Sequence, residues 1–379
     1  MAKNRRILVT GVARWWGALT VQRLVESRQV AEVIGIDTVE PHHDLGRADF
    51  LRLDIRHSLI GKLVRAVGID TVVHTATTID SFDPDPRRAH ETNVIGTLNL
   101  LAGLEGPDSP VRRVVLKSST HVYGSRFDLP AYVREDRRLD ANSRHAFVRD
   151  LVEVESYLSD FQVRNQHADV LVLRFANSLN AEEPQPLARY LDLPLVPTVM
   201  GYDPILQLIH RDDCIEALVR AALDGPAGPY NIAAPAPRPL TALLAQTSKL
   251  HAPLLPPTGL STAAQLLRTM GIAFLTPQLL DLLRWGRTVS TARAERELRF
   301  MPRLETAAAL EAFYEMRRVI GFLPDRGAYL YEKELEDFIQ NRRQELLSAA
   351  QPNGGSGDGK SATARPARAR RRRSPAPHR

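Results

Sequence analysis

The chain has 379 residues, 44% of them hydrophobic and 25% charged, which excludes a short peptide and a wholly disordered chain. Its formal charge of +6 is concentrated at one end: residues 351–379 hold eight basic residues and one acidic, a net +7, leaving −1 on the other 350. The charge is therefore no argument for a folded body that binds nucleic acid or anionic membrane. The single cysteine, Cys214, excludes an intrachain disulfide and a thiolate metal site, which fits a reducing, cytoplasmic setting. The most apolar run, 269–280, contains Pro277 and falls well short of the roughly 18 to 20 residues of a membrane span.

In chain order, short β-branched runs alternate with helical patterns. Strands are predicted at 7–10, 33–37, 50–53, 71–74, 113–118 and 170–174, and helices at 18–27, 59–67, 87–104 and 145–165. Runs such as VVL and VLVL are apolar without alternation, as expected of strands buried on both faces. The fold class that follows is α/β, a doubly wound Rossmann parallel sheet, with the core over 1–177. Beyond Asn177 prolines crowd the chain, with helices expected near 212–223 and 262–283; residues 178–325 read as a smaller substrate lobe with returning core elements. A charged helix is expected within 326–350, at 331–349, and 351–379 has the composition of a disordered basic tail.

Directly after the first strand comes Thr10-Gly11-Val12-Ala13-Arg14-Trp15-Trp16-Gly17. A glycine-rich strand-to-helix turn presents backbone amides and a helix N-terminus to a pyrophosphate. Asp37, at the end of strand 2, is placed to hydrogen-bond a ribose diol and disfavours the 2′-phosphate of NADP, so NAD is the expected cofactor.

The sequence resembles the extended short-chain dehydrogenase/reductase family, the NAD-dependent epimerase/dehydratase group. Gly11 and Gly17 match the first and last glycines of its TGxxGxxG turn, and Arg14 replaces the middle one, so its side chain must point outward, obstruct the site or contact the phosphates. Asp54 matches an aspartate expected near adenine, and His74-Thr75-Ala76-Thr77 resembles the HxAA beside the cofactor. Asn93-Val94-Ile95-Gly96-Thr97-Leu98-Asn99-Leu100-Leu101 resembles NVxGTxNLL, Ser118 to Gly124 resembles SSxxVYG, and Arg174 to Asn177 resembles RxxN. Leu208 to Asp213, Tyr230-Asn231-Ile232 and 289–302 match later motifs. The resemblance implies a cofactor site at Gly11, Arg14, Gly17, Asp37, Asp54, Thr75, Ala76 and Asn93, a nucleotide-sugar substrate, and a homodimer paired through the helices at 87–104 and 145–165.

It also implies a Ser119 that orients the substrate hydroxyl and a YxxxK pair that moves protons, the lysine lowering the tyrosine's pKa from one helical turn away. That pair is absent: Phe147 stands at the tyrosine position and Leu151 at the lysine position, with Glu155 of the motif retained. Two readings stay open. One is a non-catalytic or atypical NAD-binding protein of nucleotide-sugar type, a pseudoenzyme. The other is a divergent NAD-dependent epimerase, dehydratase or reductase with a substitute acid/base, for which His145 and Arg149 are candidates against a reading as solvent-facing helix residues.

His42-His43-Asp44 reads as a surface loop with no metal site. Trp15 and Trp16 read as core. The basic amphipathic stretch 263–285 reads as lid helices or as peripheral membrane contact. The cluster 368–373 in the tail is expected either to meet anionic lipid, nucleic acid or an acidic protein, or simply to aid solubility.

Overall fold

A computed structural model describes residues 4–78, 86–255 and 275–322, with isolated positions at 258, 262 and 265. The predicted helix at 331–349 and the tail lie outside the described residues, as does most of 263–274. Except for Phe322, the described residues belong to one compact unit, Met1–Gly321.

The buried apolar runs become strands because each meets a like neighbour on both sides. Strands β1 (Arg5–Thr10), β2 (Val30–Asp37), β3 (Asp49–Arg52), β4 (Thr71–His74), β5 (Arg113–Ser119) and β6 (Asp169–Phe175) alternate with helices α1 (Trp15–Val25), α2 (Leu59–Val67), α3 (Pro86–His90), α4 (Gly96–Leu104) and α5 (Ala146–Arg164). After β6 come β7 (Asn177–Leu179), α6 (Pro186–Leu191), β8 (Leu195–Val199), β9 (Ile205–Leu206), β10 (Leu208–His210) and α7 (Arg211–Leu223). They are followed by β11 (Gly228–Ile232), β12 (Arg238–Pro239), α8 (Leu240–Gln246) and β13 (Leu250–Leu255), and then by helices Pro277–Trp285, Ala292–Glu297 and Thr306–Phe322. The main sheet has seven parallel strands in the order β11-β6-β5-β4-β1-β2-β3. Strand order reverses between β1 and β4, so a crevice opens at their C-terminal ends.

Each face of the sheet carries its own core. One, under α1 and α7, contains Val9, Trp16, Leu24, Val115, Leu173 and Leu218; the other, under α2, α4 and α5, contains Ile36, Ile60, Leu100, Val114, Leu158 and Phe161. A third cluster, with Leu187, Tyr190, Leu243, Leu279 and Phe313, is built by the later elements. The described end of the predicted 262–283 helix starts at Pro277, where the Thr276 hydroxyl accepts from the Leu279 amide.

The predicted single helix at 87–104 is interrupted. A π-helical turn, Glu91–Ile95, joins α3 to α4. The extra residue carries Asn93 inward, where its amide group donates to the Thr78 carbonyl and accepts from the Thr78 amide.

Several separated motifs meet in one buried polar network. Arg174 on β6 forms a two-pronged pair with Glu155 on α5, both about 95% buried, and donates to the Tyr123 hydroxyl. Ser118 donates to the same carboxylate, Tyr123 donates to Asn231 on β11, and the Glu135 side chain accepts from the Asn231 amide. Burial opposes the charge on Arg174, but Glu155 and Tyr123 outweigh it and hold the guanidinium more firmly protonated than usual. Burial pushes the Tyr123 phenol up to about 12, against the pull of Arg174. Because a buried charge stripped of its partner is costly, Arg174→Met should destabilise by about 3–5 kcal/mol in urea denaturation, and Glu155→Leu in the same chain should recover much of that loss.

Candidate functional site

The glycine turn is shaped by chain packing. Gly11 has φ +80°, and a Cβ there would lie 2.6 Å from the Cα of Ala76; a Cβ on Gly17 would lie 2.4 Å from the Gly11 carbonyl oxygen. Arg14 has an extended backbone (φ −100°, ψ 154°) open to any residue, and its exposed side chain borders the cleft. Its replacement of glycine therefore costs the backbone nothing.

This cleft, of about 490 Å³, is lined by Gly11, Ala13, Arg14, Asp37, Asp54 and Ala76 among others. Gly17, Thr75 and Asn93 shape it from behind: the Thr75 hydroxyl donates to the Thr10 carbonyl, and Asn93 holds Thr78. Asp54 is engaged by Arg56, whose hydrogen bonds outweigh burial and hold its carboxyl below the usual range. His74 is a buried staple between Thr10 on β1 and Thr97 on α4; burial, then the Lys117 charge, pushes it down to about 3, so it stays neutral.

Two amides at this turn already face carboxylates. Ala13 donates to Asp37 at 2.9 Å, and Trp15, the first residue of α1, donates to Glu183 at 3.4 Å. Unsatisfied amides at a helix N-terminus attract anions, so these carboxylates mark where an anionic group would be held.

The second half of the site lies at the end of β5, beside β4. Ser119 Oγ is 2.8 Å from Nδ1 of His121. Phe147 packs edge-on against the His121 ring, with centroids 5.7 Å apart, while Leu151 is buried in the core under α1 and α7. Burial, then Arg287 and His145, hold the His121 imidazole well below its ordinary value. Sequence reasoning passed over His121; its only signal was an ionisable residue inside the SSxxVYG segment.

His145 is half-buried, whereas Arg149 is exposed, as the solvent-facing reading has it. His145 Nε2 lies 2.7 Å from Asp281 on helix Pro277–Trp285, because the N-terminus of α5 abuts that helix; Arg149 donates to the Ser143 carbonyl. Arg144 also pairs with Asp281. The tryptophans are core, stacked at 4.2 Å, with Trp16 also against Phe175 and beneath Lys117. Of the loop histidines, His43 faces Glu182, and among the described residues no group of three His, Cys, Asp or Glu is placed to hold a metal ion. Among the described residues no helix is long and apolar enough to cross a membrane.

The sheet order, the glycine turn and the acidic residue ending β2 coincide with a match of residues 7–233 to the family model described as NAD dependent epimerase/dehydratase family. The chain belongs to this family. An uncharacterized protein of Mycobacterium tuberculosis is 34% identical over 318 residues, covering 82% of this chain and 84% of the relative. UDP-glucose 4-epimerase of Neisseria meningitidis serogroup C is 27% identical over 190 residues, 47% of this chain and 55% of its own. Among epimerase/dehydratase folds, Thermotoga maritima UDP-glucose 4-epimerase with UDP-glucose superposes with a TM-score of 0.64 at 19% identity, covering 83% of this chain and 99% of that one. The Bacillus cereus UDP-glucuronic acid 4-epimerase with UDP-glucuronic acid and NAD gives 0.62 at 18%, with the same coverage.

The Asp281 link makes the site acid-sensitive. Burial raises the carboxyl, but hydrogen bonds from His145 and Arg144 outweigh it and leave Asp281 below its ordinary 3.8. A carboxyl lower in the folded than in the unfolded chain adds stability that is present above the unfolded value and lost as pH falls through the folded one. Stability measured by urea titration should therefore fall more steeply below about pH 4 in the wild type than in Asp281→Asn.

Proposed function

We propose that this protein binds NAD in the β1–α1 cleft and a nucleotide sugar beside Ser119, and that its chemistry is atypical because it bypasses the family's tyrosine–lysine pair. The observation that carries this reading is the contrast within one site. The dinucleotide turn keeps its glycine packing and its Asp37, whereas Phe147 offers no proton and Leu151 is sealed in the core.

The residues present fit the cofactor. The Ala13 and Trp15 amides would take the pyrophosphate in place of Asp37 and Glu183, freeing Asp37 for the ribose diol; Arg14 would lay its guanidinium on the phosphates. When bound, NAD supplies a hydride acceptor. Asp37 favours NAD over NADP by repulsion of a 2′-phosphate.

Structural neighbours bind UDP-glucose or UDP-glucuronic acid. A Bacillus cereus UDP-glucuronic acid 4-epimerase variant with one tyrosine changed to phenylalanine is in complex with a UDP-fluorosugar and NAD, so that fold holds both ligands with such a substitution. Two observations bear on turnover. The missing pair alone favours binding without catalysis, but the Ser119 to His121 contact favours a substitute acid/base and an active, divergent epimerase, dehydratase or reductase.

The partner contacts belong to the same reading. The exposed Ile95 and Leu98 on the π turn and α4 support pairing of two copies through α4 and α5, and the basic tail would recruit anionic lipid, nucleic acid or an acidic protein.

Calorimetry with NAD, NADP and UDP tests the binding. NAD and UDP should bind and NADP should bind more weakly. Arg14→Ala should weaken NAD by about 10-fold or more, as loss of a charge-assisted hydrogen bond predicts. Glu183→Gln should strengthen it by roughly 2- to 5-fold, because a charged competitor leaves the helix N-terminus. Failure of the wild type to bind NAD overturns the reading.

A further inference from the structure

His121 occupies a place that its sequence position does not advertise. Its backbone belongs to a short 3-10 turn, Thr120–Tyr123, whose first amides are capped by Ser119: the Ser119 hydroxyl oxygen accepts from the His121 amide at 3.3 Å. The same turn folds the imidazole back so that Nδ1 meets Ser119 Oγ at 2.8 Å. The ring is half-buried and its flank is covered by Phe147, the residue at the family's tyrosine position. An imidazole thus stands between the serine that the family uses on the substrate hydroxyl and the side chain that has lost its phenol.

We propose that Ser119 and His121 together form the acid/base of this site, with His121 taking the proton that the family's tyrosine would take. This rests on the reading that NAD and a nucleotide sugar bind here. A sugar carbinol hydrogen-bonded to Ser119 Oγ passes its O–H proton to that oxygen while Ser119 passes its own proton to Nδ1 of His121. NAD held in the β1–α1 cleft would supply the acceptor for the hydride of the carbinol C–H bond, so that the sugar would become a ketone with its proton stored as an imidazolium at His121; the reverse would return that proton to the carbonyl oxygen and the hydride to its carbon. The step requires a neutral imidazole at rest.

The surroundings supply that condition. Burial comes first in keeping the His121 imidazole neutral, and the charges of Arg287 and of His145, tied to Asp281, act in the same direction. Arg287 reaches this position from the segment after helix Pro277–Trp285. It donates to Thr120 Oγ1, to the Gly124 carbonyl and to Ser125 Oγ, which fixes the turn that carries His121. Its Nη2 is buried with no hydrogen-bond partner among the described residues, so the guanidinium keeps a free donor at the site. A fixed cation beside the imidazole keeps it neutral at rest and makes the imidazolium costly, so the proton taken from Ser119 is held only transiently. His145 does not take this part itself, because its Nε2 is held by Asp281.

The test uses the full-length protein loaded with NAD. Calorimetry with NAD and UDP is run on the wild type, His121→Phe and His121→Asn; asparagine keeps a hydrogen-bonding side chain but no basic nitrogen. Transfer is then followed as bound reduced nicotinamide at 340 nm after mixing with UDP-glucose, UDP-galactose or UDP-glucuronic acid. In 15N-histidine-labelled protein, the ring signals absent from His121→Asn are followed by NMR as UDP-glucose is added. Both variants should bind NAD and UDP within about 2-fold of wild type and lose about 10²- to 10⁴-fold in transfer rate, the range for removal of a general acid/base. Phe147→Tyr in the His121→Asn chain should restore part of that loss, and the His121 ring signals should move on UDP-glucose addition in the wild type but not in Ser119→Ala. Transfer unchanged in His121→Asn, or binding of NAD and UDP by the wild type with no transfer from any of the three sugars, overturns the proposal alone. Absence of NAD and UDP binding in the wild type overturns the preceding reading and this one with it.

Discussion

The ion pair between Arg174 and Glu155 is the constraint on which the architecture around the site depends. Two charges taken out of water need every lone pair and proton matched, and the molecule meets that need by drawing β5, β6, α5, β11 and the 3-10 turn to one point. Ser118 faces this network while Ser119, its neighbour, faces the opposite side of the strand, as strand alternation requires. The network thereby fixes the direction of Ser119. It also gives Glu155, Tyr123, Arg174 and Asn231 a structural use that does not depend on a tyrosine at 147 or a lysine at 151.

Much of the fold was readable because burial on both sheet faces leaves an unbroken apolar signature. VVH in β4 and VVL in β5 could hardly be anything else. The fragments after Asn177 were not readable: β9 and β12 have two residues each, and their pairing is decided by contacts across the lobe, not by any local pattern. The π turn escaped because one inserted residue leaves the 3.6-residue periodicity of 87–104 almost intact, and only the need to bring Asn93 to Thr78 reveals it.

The cofactor half of the site was legible through glycine spacing and the position of Asp37 on β2. Its finer division was not: Gly17, Thr75 and Asn93 look like ligand residues in a motif, yet their side chains or missing side chains are used to pack backbone against backbone. The half of the candidate site around Ser119 was legible only through the absent tyrosine and lysine. Asp281 and Arg287 lie well over a hundred residues from the groups they touch, and no single sequence carries a signal at that range. His121 stood within a recognised segment, but its contacts with Ser119 and Phe147 exist only once the chain is folded.

The hydrogen bonds from Ala13 to Asp37 and from Trp15 to Glu183 give this fold a resident anion. A carboxylate tethered to the chain is a competitor that dilution cannot remove, acting at an effective concentration on the order of millimolar. Any diphosphate that enters exchanges one set of charged hydrogen bonds for another and gains only the difference. Occupancy would then follow the cellular level of the dinucleotide instead of saturating at trace amounts, which distinguishes an exchangeable ligand from a permanently seated prosthetic group.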